Sequence, residues 1–294
     1  IASGSGGSTA LSSAELYLGA GTRVQKACGY NDSVEAMYDY LMVSNGPQAD
    51  RAKIRAYCEG SADHFNWLVD LGVPFNDSEF KARAIVATTD DGLLYTGSEK
   101  AWPYVESIAP APRGHNLAIK GDHGGPLFMK ILTAAALQRG VEVHFETRAL
   151  RLIEDSGEVV GLVVRSDMQE RYLRSNQGVI LSAGGFVMNR EMLAEYAPDL
   201  MRCNLPIGNA GDTGSGILIG QSMGAAVTNM HEGFVSLPFY PPSSLTYGIF
   251  INAHGKRFIN EDCYHGRVGA HVLRQPSGPV YLVLSIEDYG QYET

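Results

Sequence analysis

Three glycine-rich segments, far apart in the chain, suit close approach of a ligand to the backbone. They are residues 6–10 (GGSTA), 182–186 (SAGGF) and 211–216 (GDTGSG). Because glycine has no side chain, backbone N–H groups in such segments can reach a pyrophosphate or a ribose. The segment 211–216 also opens a predicted helix, whose free N–H groups favour an anion. Each segment alone also fits a plain turn or, at Asp212, an ordinary helix cap.

Other polar residues are weaker candidates for chemistry. Residues 255–262 (GKRFINED) form a dense polar cluster after a predicted strand, which is typical of a solvated turn. His115 and His123 lie in glycine-flanked loops and could contact a ligand, although such histidines more often serve loops or helix caps. The four cysteines are scattered, with no C-x-x-C pair and no histidine at metal-ligand spacing. The sequence therefore predicts free thiols in a reducing compartment and no metal site.

The composition narrows the class of protein. Apolar residues make up 45% of the 294 residues and charged residues 19%, a balance typical of a folded globular protein. The net charge of -9 leaves no broad basic surface for phosphates, so we expect no nucleic-acid partner. No apolar stretch approaches the ~20 residues that span a bilayer, and the sequence predicts a soluble, cytoplasmic protein.

Four helices are predicted from apolar periodicity and from capping residues. Apolar residues at i, i+3, i+4 and i+7 predict a helix that runs to about Leu41, with Asp32 or Ser33 as its cap. A second helix is predicted over 50–71 and is stopped by Gly72. Two further helices are predicted over 126–139 and 212–223, each followed by a glycine.

Strands are predicted between and after these helices. Residues 141–145, 149–154 and 159–165 have strand patterns, and the last two should form a hairpin around Asp-Ser-Gly at 155–157. The continuous apolar run 178–183 predicts a strand buried on both faces, as in a parallel α/β core. Residues 249–252 and 280–284 predict strands of a second unit, beyond a proline- and aromatic-rich stretch at 234–247 that suits a flat apolar ligand or a core.

Taken in order, GGST, SAGGF, GDTGSG and GKRFINED resemble the FAD-binding superfamily of fumarate reductases, urocanate reductases and 3-ketosteroid dehydrogenases. Within it, four blocks are most similar to Δ4-(5α)-3-ketosteroid dehydrogenases: YLGAGTRVQKACGY (17–30), HFNWLVDLGVPF (64–75), APAPRGH (109–115) and NEDCYHGR (260–267). The resemblance implies an α/β fold, with an incomplete Rossmann-like FAD-binding domain over 1–225 and part of an α+β cap domain for the substrate over 226–294. The family's N-terminal G-x-G-x-x-G unit and its C-terminal segment have no counterpart here, so we expect a partial chain.

The resemblance also implies which residues bind and react. The residues that match the family's FAD contacts are Gly6, Gly7, Ser8, Thr9, Ala10, Arg148, Ala149, Ala183, Gly184, Gly185, Gly211, Asp212, Thr213 and Gly214. Tyr264 matches a tyrosine that lies against the substrate ring in the steroid enzymes, while His115, His265 and Arg267 are weaker candidates for substrate contact.

The implied reaction is the dehydrogenation of a 3-ketosteroid. The keto group acidifies the α-carbon, Tyr264 takes or relays that proton, and flavin N5 accepts the β-hydride. Two alternatives stay open: a fumarate- or urocanate-type reductase that uses Arg267, and a non-catalytic ligand-binding domain on the same scaffold.

Overall fold

A computed structural model describes residues 2–82, 87–121, 123–237, 247–285 and 287. The helices in these residues are α1 Gly7–Ala10, α2 Arg23–Ala27, α3 Val34–Ser44, α4 Arg51–Asp70, α5 Tyr104–Ser107, α6 Gly124–Gln138, α7 Arg190–Tyr196, α8 Ser215–Gln221 and α9 His265–Leu273. The strands are β1 Leu16–Tyr17, β2 Glu79–Phe80, β3 Leu93–Leu94, β4 Gly114–His115, β5 Arg148–Asp155, β6 Glu158–Ser166, β7 Gln169–Arg174, β8 Ile249–Ile251 and β9 Tyr281–Val283. The described residues also contain one 3₁₀ segment, Pro198–Arg202, which follows α7.

The chain forms two compact units, and it enters each of them twice. Unit 1 comprises Ile1–Leu11 and Thr133–Gly233, and unit 2 comprises Ser12–Leu132 and Phe234–Thr294. Residues 12–132 thus group with the C-terminal part, a division that differs from a single split at 225/226. Which functional domain each unit represents stays a prediction.

The helices that the sequence predicted are present, and their ends have local causes. Ser33 caps α3, since its Oγ accepts the backbone N–H of Ala36 at 3.1 Å. Asp50 caps α4 in the same way, and Gly72 ends that helix with a φ of 92°. The helix predicted over 212–223 begins later, at Ser215, because Gly214 adopts a left-handed conformation with φ 76° just before it.

Unit 2 has its core around a four-stranded sheet of short strands in the order β1-β4-β3-β2. Strand β4 pairs antiparallel with both β1 and β3, so that His115 faces Leu16 on one side and Leu93 on the other. Apolar side chains from α4 and from the sheet, among them Phe65 and Leu68, are buried against Leu93. A second cluster packs α9 against the β8–β9 pair.

Unit 1 contains a three-stranded antiparallel sheet, β5-β6-β7. The β5–β6 hairpin predicted from the Asp-Ser-Gly turn is confirmed, with Asp155 paired to Glu158. Strand β7 was missed by the sequence reading. Its residues are all exposed, which removes the apolar alternation that marks a half-buried strand.

Two predicted strands of unit 1 are absent. Residues 141–145 and 178–183 have no strand structure, and their side chains are largely exposed, 91% for Ile180 and 51% for Val141. An apolar run becomes a buried strand only where neighbouring strands pair with it, and none of the strands in the described part of the chain pairs with either run. The parallel pairing expected there is therefore wrong for the described residues, although the mixed α/β composition holds.

Candidate active site

The three glycine-rich segments of the sequence meet in unit 1 around the carboxylate of Asp212. Its Oδ2 accepts a hydrogen bond from Ser8 Oγ at 2.7 Å and another from the backbone N–H of Asn209 at 2.9 Å. The backbone N–H of Gly214 donates to the carbonyl of Gly185 at 2.8 Å. Segments separated by about two hundred residues are thus tied to one another by direct hydrogen bonds.

Glycine is required at several of these positions by the space around them. Gly184 has a φ of 80°, and a Cβ there would overlap Oδ1 of Asp212. A Cβ at Gly208 would lie 2.8 Å from Oδ2 of the same carboxylate. Gly214 also has a positive φ, and a Cβ would overlap the sulfur of Met192. The glycines therefore allow the three turns to close on Asp212.

Most of the predicted cofactor-binding residues of unit 1 are accessible. Gly7 to Thr9, Ala183 to Gly185 and Gly211 are exposed, and Arg148 and Ala149 are exposed at the start of β5. Strand β5 packs against α8, the helix that follows the third glycine segment. Unit 1 therefore presents several exposed glycine residues whose backbone a ligand can reach.

The predicted catalytic residue, Tyr264, lies in unit 2 on the wall of a cavity of about 450 Å³. It directly precedes α9, and its backbone N–H donates to Ser98 Oγ at 3.0 Å. The side chains and backbone that line the cavity come from Glu15, Tyr17, Tyr40, Leu41, Ser44, Asn45, Thr96, Gly97, Ser98, Tyr104, Tyr264 and Arg267.

The three weaker substrate candidates are placed differently. Arg267 lines the cavity, and its guanidinium carbon lies 5.7 Å from the ring centroid of Tyr104. His265 is buried, with its ring 4.5 Å from that of Tyr264. His115 is fully buried and lies against Phe65, 4.9 Å between ring centroids. Their predicted contacts with a substrate stay predictions, and of the apolar stretch at 234–247, residues 238–246 lie outside the described residues.

Both ring nitrogens of His115 have hydrogen-bond partners. Nε2 lies 2.8 Å from Thr22 Oγ1, and Nδ1 lies 3.1 Å from the carbonyl of Arg113. The carbonyl can only accept, so Nδ1 carries the hydrogen and Nε2 accepts from the hydroxyl, which fixes a neutral tautomer. Burial accordingly lowers the pKa of His115 to about 4.

Beside His115 lies a fully buried ion pair. Arg113 donates through Nε and Nη2 to the two carboxylate oxygens of Asp32, at 3.0 and 2.7 Å. Both side chains are 0% exposed. Asp32, which the sequence suggested as a helix cap, thus serves as the partner of a buried cation.

Sequence reasoning missed two acidic residues beside the cavity. Glu15 lines it directly, and Glu99 accepts a hydrogen bond from the Tyr17 hydroxyl at 2.6 Å. The pKa of Glu15 is raised to about 8, mainly by burial. A hydrogen bond with Thr96 lowers this pKa, and the negative charge of Glu99 raises it. Burial likewise raises the pKa of Glu99. The sequence does contain a hint of this site, because Glu15 lies two positions before Tyr17 in an otherwise apolar run. Residues two positions apart lie on the same face of a strand.

Nearly the whole chain matches a known protein family. The model of the family described as FAD binding domain matches residues 2–286. The chain belongs to this family. The family predicted from the ordered motifs is therefore confirmed, and so are the flavoprotein fold and FAD as the cofactor.

Individual relatives point to two kinds of flavoprotein. The structure of 3-ketosteroid-Δ4-(5α)-dehydrogenase from Rhodococcus jostii RHA1, solved with 4-androstene-3,17-dione, is 38% identical with a TM-score of 0.93, over 99% of this chain and 61% of that one. The 3-oxo-5-alpha-steroid 4-dehydrogenase of Comamonas testosteroni is 25% identical over 95% of this chain and 61% of its own length. The probable fumarate reductase Ifc3 of Shewanella frigidimarina is 26% identical over 97% of this chain and 45% of its own length. The chain thus spans about half the length of these relatives.

The residues of unit 1 fit the cofactor of this FAD-binding family. A dinucleotide needs backbone that it can approach closely, and the exposed turn at Gly184 and Gly185 has no side chain to block it. A Cβ at Gly185 would meet nothing within 4 Å, so the open face of that turn is free for a ligand. The neighbouring Gly7 is also exposed and would have nothing near its Cβ.

The described residues contain no group of three or more His, Cys, Asp or Glu placed to hold a metal ion. Within the same part of the chain, none of the helices combines the length and the apolar character needed to cross a bilayer.

Proposed function

We propose that this protein is an FAD-dependent oxidoreductase that dehydrogenates a 3-ketosteroid. The observation that carries the proposal is the cavity of about 450 Å³ with Tyr264 on its wall. Its size lies within the roughly 300–1,000 Å³ of small-molecule sites, and four tyrosines give it aromatic walls with a few polar groups. The similarity to a dehydrogenase solved with a steroid ketone supports this substrate class.

The FAD contacts belong to the same proposal. The glycine segments of unit 1, together with Arg148 and Ala149, would hold the cofactor through backbone groups. Bound FAD would supply the hydride acceptor for the β-carbon of the substrate. The chain's own residues must bind the ketone, orient it and remove the α-proton.

Tyr264 is the residue proposed to take that proton. Its backbone is anchored by Ser98, and its ring packs against His265 and Phe234, 6.0 Å between centroids for the latter. This packing restricts the orientation of the ring, which positions its hydroxyl. Arg267 lies in the first turn of α9 and on the same cavity, and it supplies a positive charge that stabilises a tyrosinate or an enolate oxygen.

The test is the variant Tyr264→Phe, which removes only the hydroxyl. We expect the rate of flavin reduction by a 3-ketosteroid to fall about 10²- to 10⁴-fold, the usual range for general acid–base catalysis. Tyr281→Phe, at a half-exposed tyrosine on β9, is the matched control and should keep the wild-type rate. A Tyr264→Phe enzyme as fast as this control would remove Tyr264 from the mechanism, and no flavin bleaching with any 3-ketosteroid would end the proposal.

A second candidate function is the reduction of a short unsaturated carboxylate. It is favoured by the position of Arg267 on the cavity, since a guanidinium pairs well with a carboxylate, and by the fumarate reductase relative. Oxidation of the reduced flavin by fumarate or urocanate, lost in Arg267→Ala, would support it. A preparation with no flavin absorbance even after added FAD would instead support a non-catalytic binding domain.

A cytoplasmic location is part of the proposal. It is supported by the four cysteines, none of which forms a disulfide in the described residues.

A further inference from the structure

Two carboxyl groups that the proposed mechanism does not use lie beside the cavity of unit 2. Glu99 is 2% exposed, and Glu15 is half-buried as a residue, yet Oε2 of each is buried. Neither Oε2 has a hydrogen-bond partner among the described residues. A buried carboxylate oxygen without a hydrogen-bond donor destabilises the folded protein, because it has lost its hydrogen bonds to water and formed none with the protein. Protonation removes that cost.

The pair is connected to the tyrosines of the cavity. The Tyr17 hydroxyl donates to Oε1 of Glu99 at 2.6 Å, while Tyr17 and Glu15 both line the cavity. Gly97 brings a second tyrosine close, since a Cβ there would lie 2.6 Å from the Tyr40 hydroxyl and 2.8 Å from both carboxylate oxygens of Glu99. Tyr40 accepts the Ser98 backbone N–H at 2.7 Å, which leaves its own O–H hydrogen out of that bond.

The local charges do not compensate two carboxylates. The nearest fully buried cation, Arg113, is already paired with Asp32 through two hydrogen bonds. Arg113 lowers the pKa of Glu99, but the desolvation of Glu99 is the larger effect. The titratable groups that face the pair from the surrounding elements are Tyr17, Tyr40, Tyr104, Arg113, Tyr264 and Arg267. The tyrosines of this set are neutral in their ordinary state. Because Arg113 is already paired with Asp32, Arg267 is the cation of this set that is left to offset two carboxylates, so at least one carboxyl group keeps its proton.

We propose that Glu15 and Glu99 form a carboxyl pair that keeps at least one proton at neutral pH and takes up protons from the tyrosine hydroxyls of the cavity. The inference rests on the proposed function, because it gives the pair a role in removing the substrate proton. As a proton from the cavity side forms a new O–H bond on Tyr17, the old Tyr17 O–H bond breaks and an O–H bond forms on the Glu99 carboxylate, so Tyr17 stays neutral. The Glu99 O–H bond then breaks as its proton passes to the Glu15 carboxylate, which has already lost its own proton to solvent. No electrons move in this relay.

The direct test is infrared spectroscopy of the FAD-loaded protein. A protonated carboxyl group has a carbonyl-stretch band, separate from that of a carboxylate, that shifts in D2O. We expect such a band at neutral pH and its loss as the pH rises through the pKa of Glu15, about 8. This measurement needs no variant and no substrate. A wild-type protein without the band at neutral pH would overturn the proposal, whatever the protein's activity.

Variants assign the band to the pair. Glu15→Gln should reduce it, whereas Glu106→Gln, at an exposed glutamate of the same unit, should leave it unchanged. Tyr17→Phe removes the hydrogen bond to Glu99 and keeps both carboxyl groups, so it should shift the band without abolishing it. Equal bands in Glu15→Gln, Tyr17→Phe and wild type would refute the assignment.

Kinetics then connect the pair to the reaction. The rate of dehydrogenation should rise with pH through about 8 in the wild type, because Glu15 must lose its own proton to solvent before it can receive one from Glu99. In Glu15→Gln that inflection should vanish, and Glu99→Gln should slow the reaction by about 10²-fold or more. An unchanged pH profile in Glu15→Gln would rule out the relay. If no steroid is turned over, the proposed function fails, while the infrared result still decides whether the pair keeps a proton at neutral pH.

Discussion

The most direct check on the convergence of the glycine segments is the variant Gly184→Ala. Gly184 has a φ of 80°, and the added Cβ would overlap Oδ1 of Asp212, the carboxylate that joins the segments. The neighbouring Gly185 offers a matched control, because a Cβ there would meet nothing within 4 Å and its φ is not in the left-handed region. The two variants thus add the same methyl group to adjacent residues of one turn.

The expected cost follows from two effects. A left-handed conformation costs a residue with a Cβ about 1–2 kcal/mol, and forcing a methyl group into occupied space costs about 1–3 kcal/mol. Gly184→Ala should therefore lower the free energy of unfolding by about 2–5 kcal/mol, whereas Gly185→Ala should stay within about 0.5 kcal/mol. If the clash with Asp212 contributes, part of the cost should disappear in an Asp212→Ala background.

Urea unfolding of the wild type, the Gly185→Ala control, both single variants of the Gly184–Asp212 pair and their double variant gives the free energies. The flavin absorbance of the purified variants gives the FAD occupancy. Gly184→Ala should lose FAD because the turn can no longer close on Asp212. The reasoning would be refuted if Gly184→Ala were as stable as Gly185→Ala. Equal costs of Gly184→Ala with and without the Asp212 side chain would show that the steric argument is wrong and that only the backbone conformation matters.

Two further predictions concern the buried polar groups of unit 2. Asp32→Ala leaves Arg113 buried without its partner and should lower the free energy of unfolding by about 3–5 kcal/mol. The control Asp77→Ala breaks the half-exposed ion pair with Arg23 and should lower the free energy of unfolding by at most about 1 kcal/mol. A similar urea midpoint for both variants would contradict this. The pKa of His115 falls from 6.5 to about 4 on folding, so its contribution is present above the unfolded pKa and is lost as the pH falls between these values. Urea unfolding should show a decline of about 3 kcal/mol over that window, and a wild-type slope retained in His115→Gln would exclude His115 as its source.

The sequence by itself determined those elements that are set by residues adjacent to them in the chain. The caps Ser33 and Asp50 lie next to the helices they start, and the turn at 155–157 lies between the two strands that it joins. The ordered motifs also identified the family and its cofactor, since their residues and order are read directly from the chain. These features need no knowledge of what packs against them.

The tertiary structure decided whatever depends on distant partners. The apolar run at 178–183 reads as a buried strand, but burial requires neighbouring strands, and in the described residues none pairs with it. Asp32 suits a helix cap equally well by its type, yet Arg113, far along the chain, makes it half of a buried ion pair. Glu15 is an ordinary acid in the sequence, and its raised pKa exists only because folding removes its water and brings Glu99 near. Hydration and charge are set by the whole surroundings of a group, which the spacing of residues along a chain does not contain.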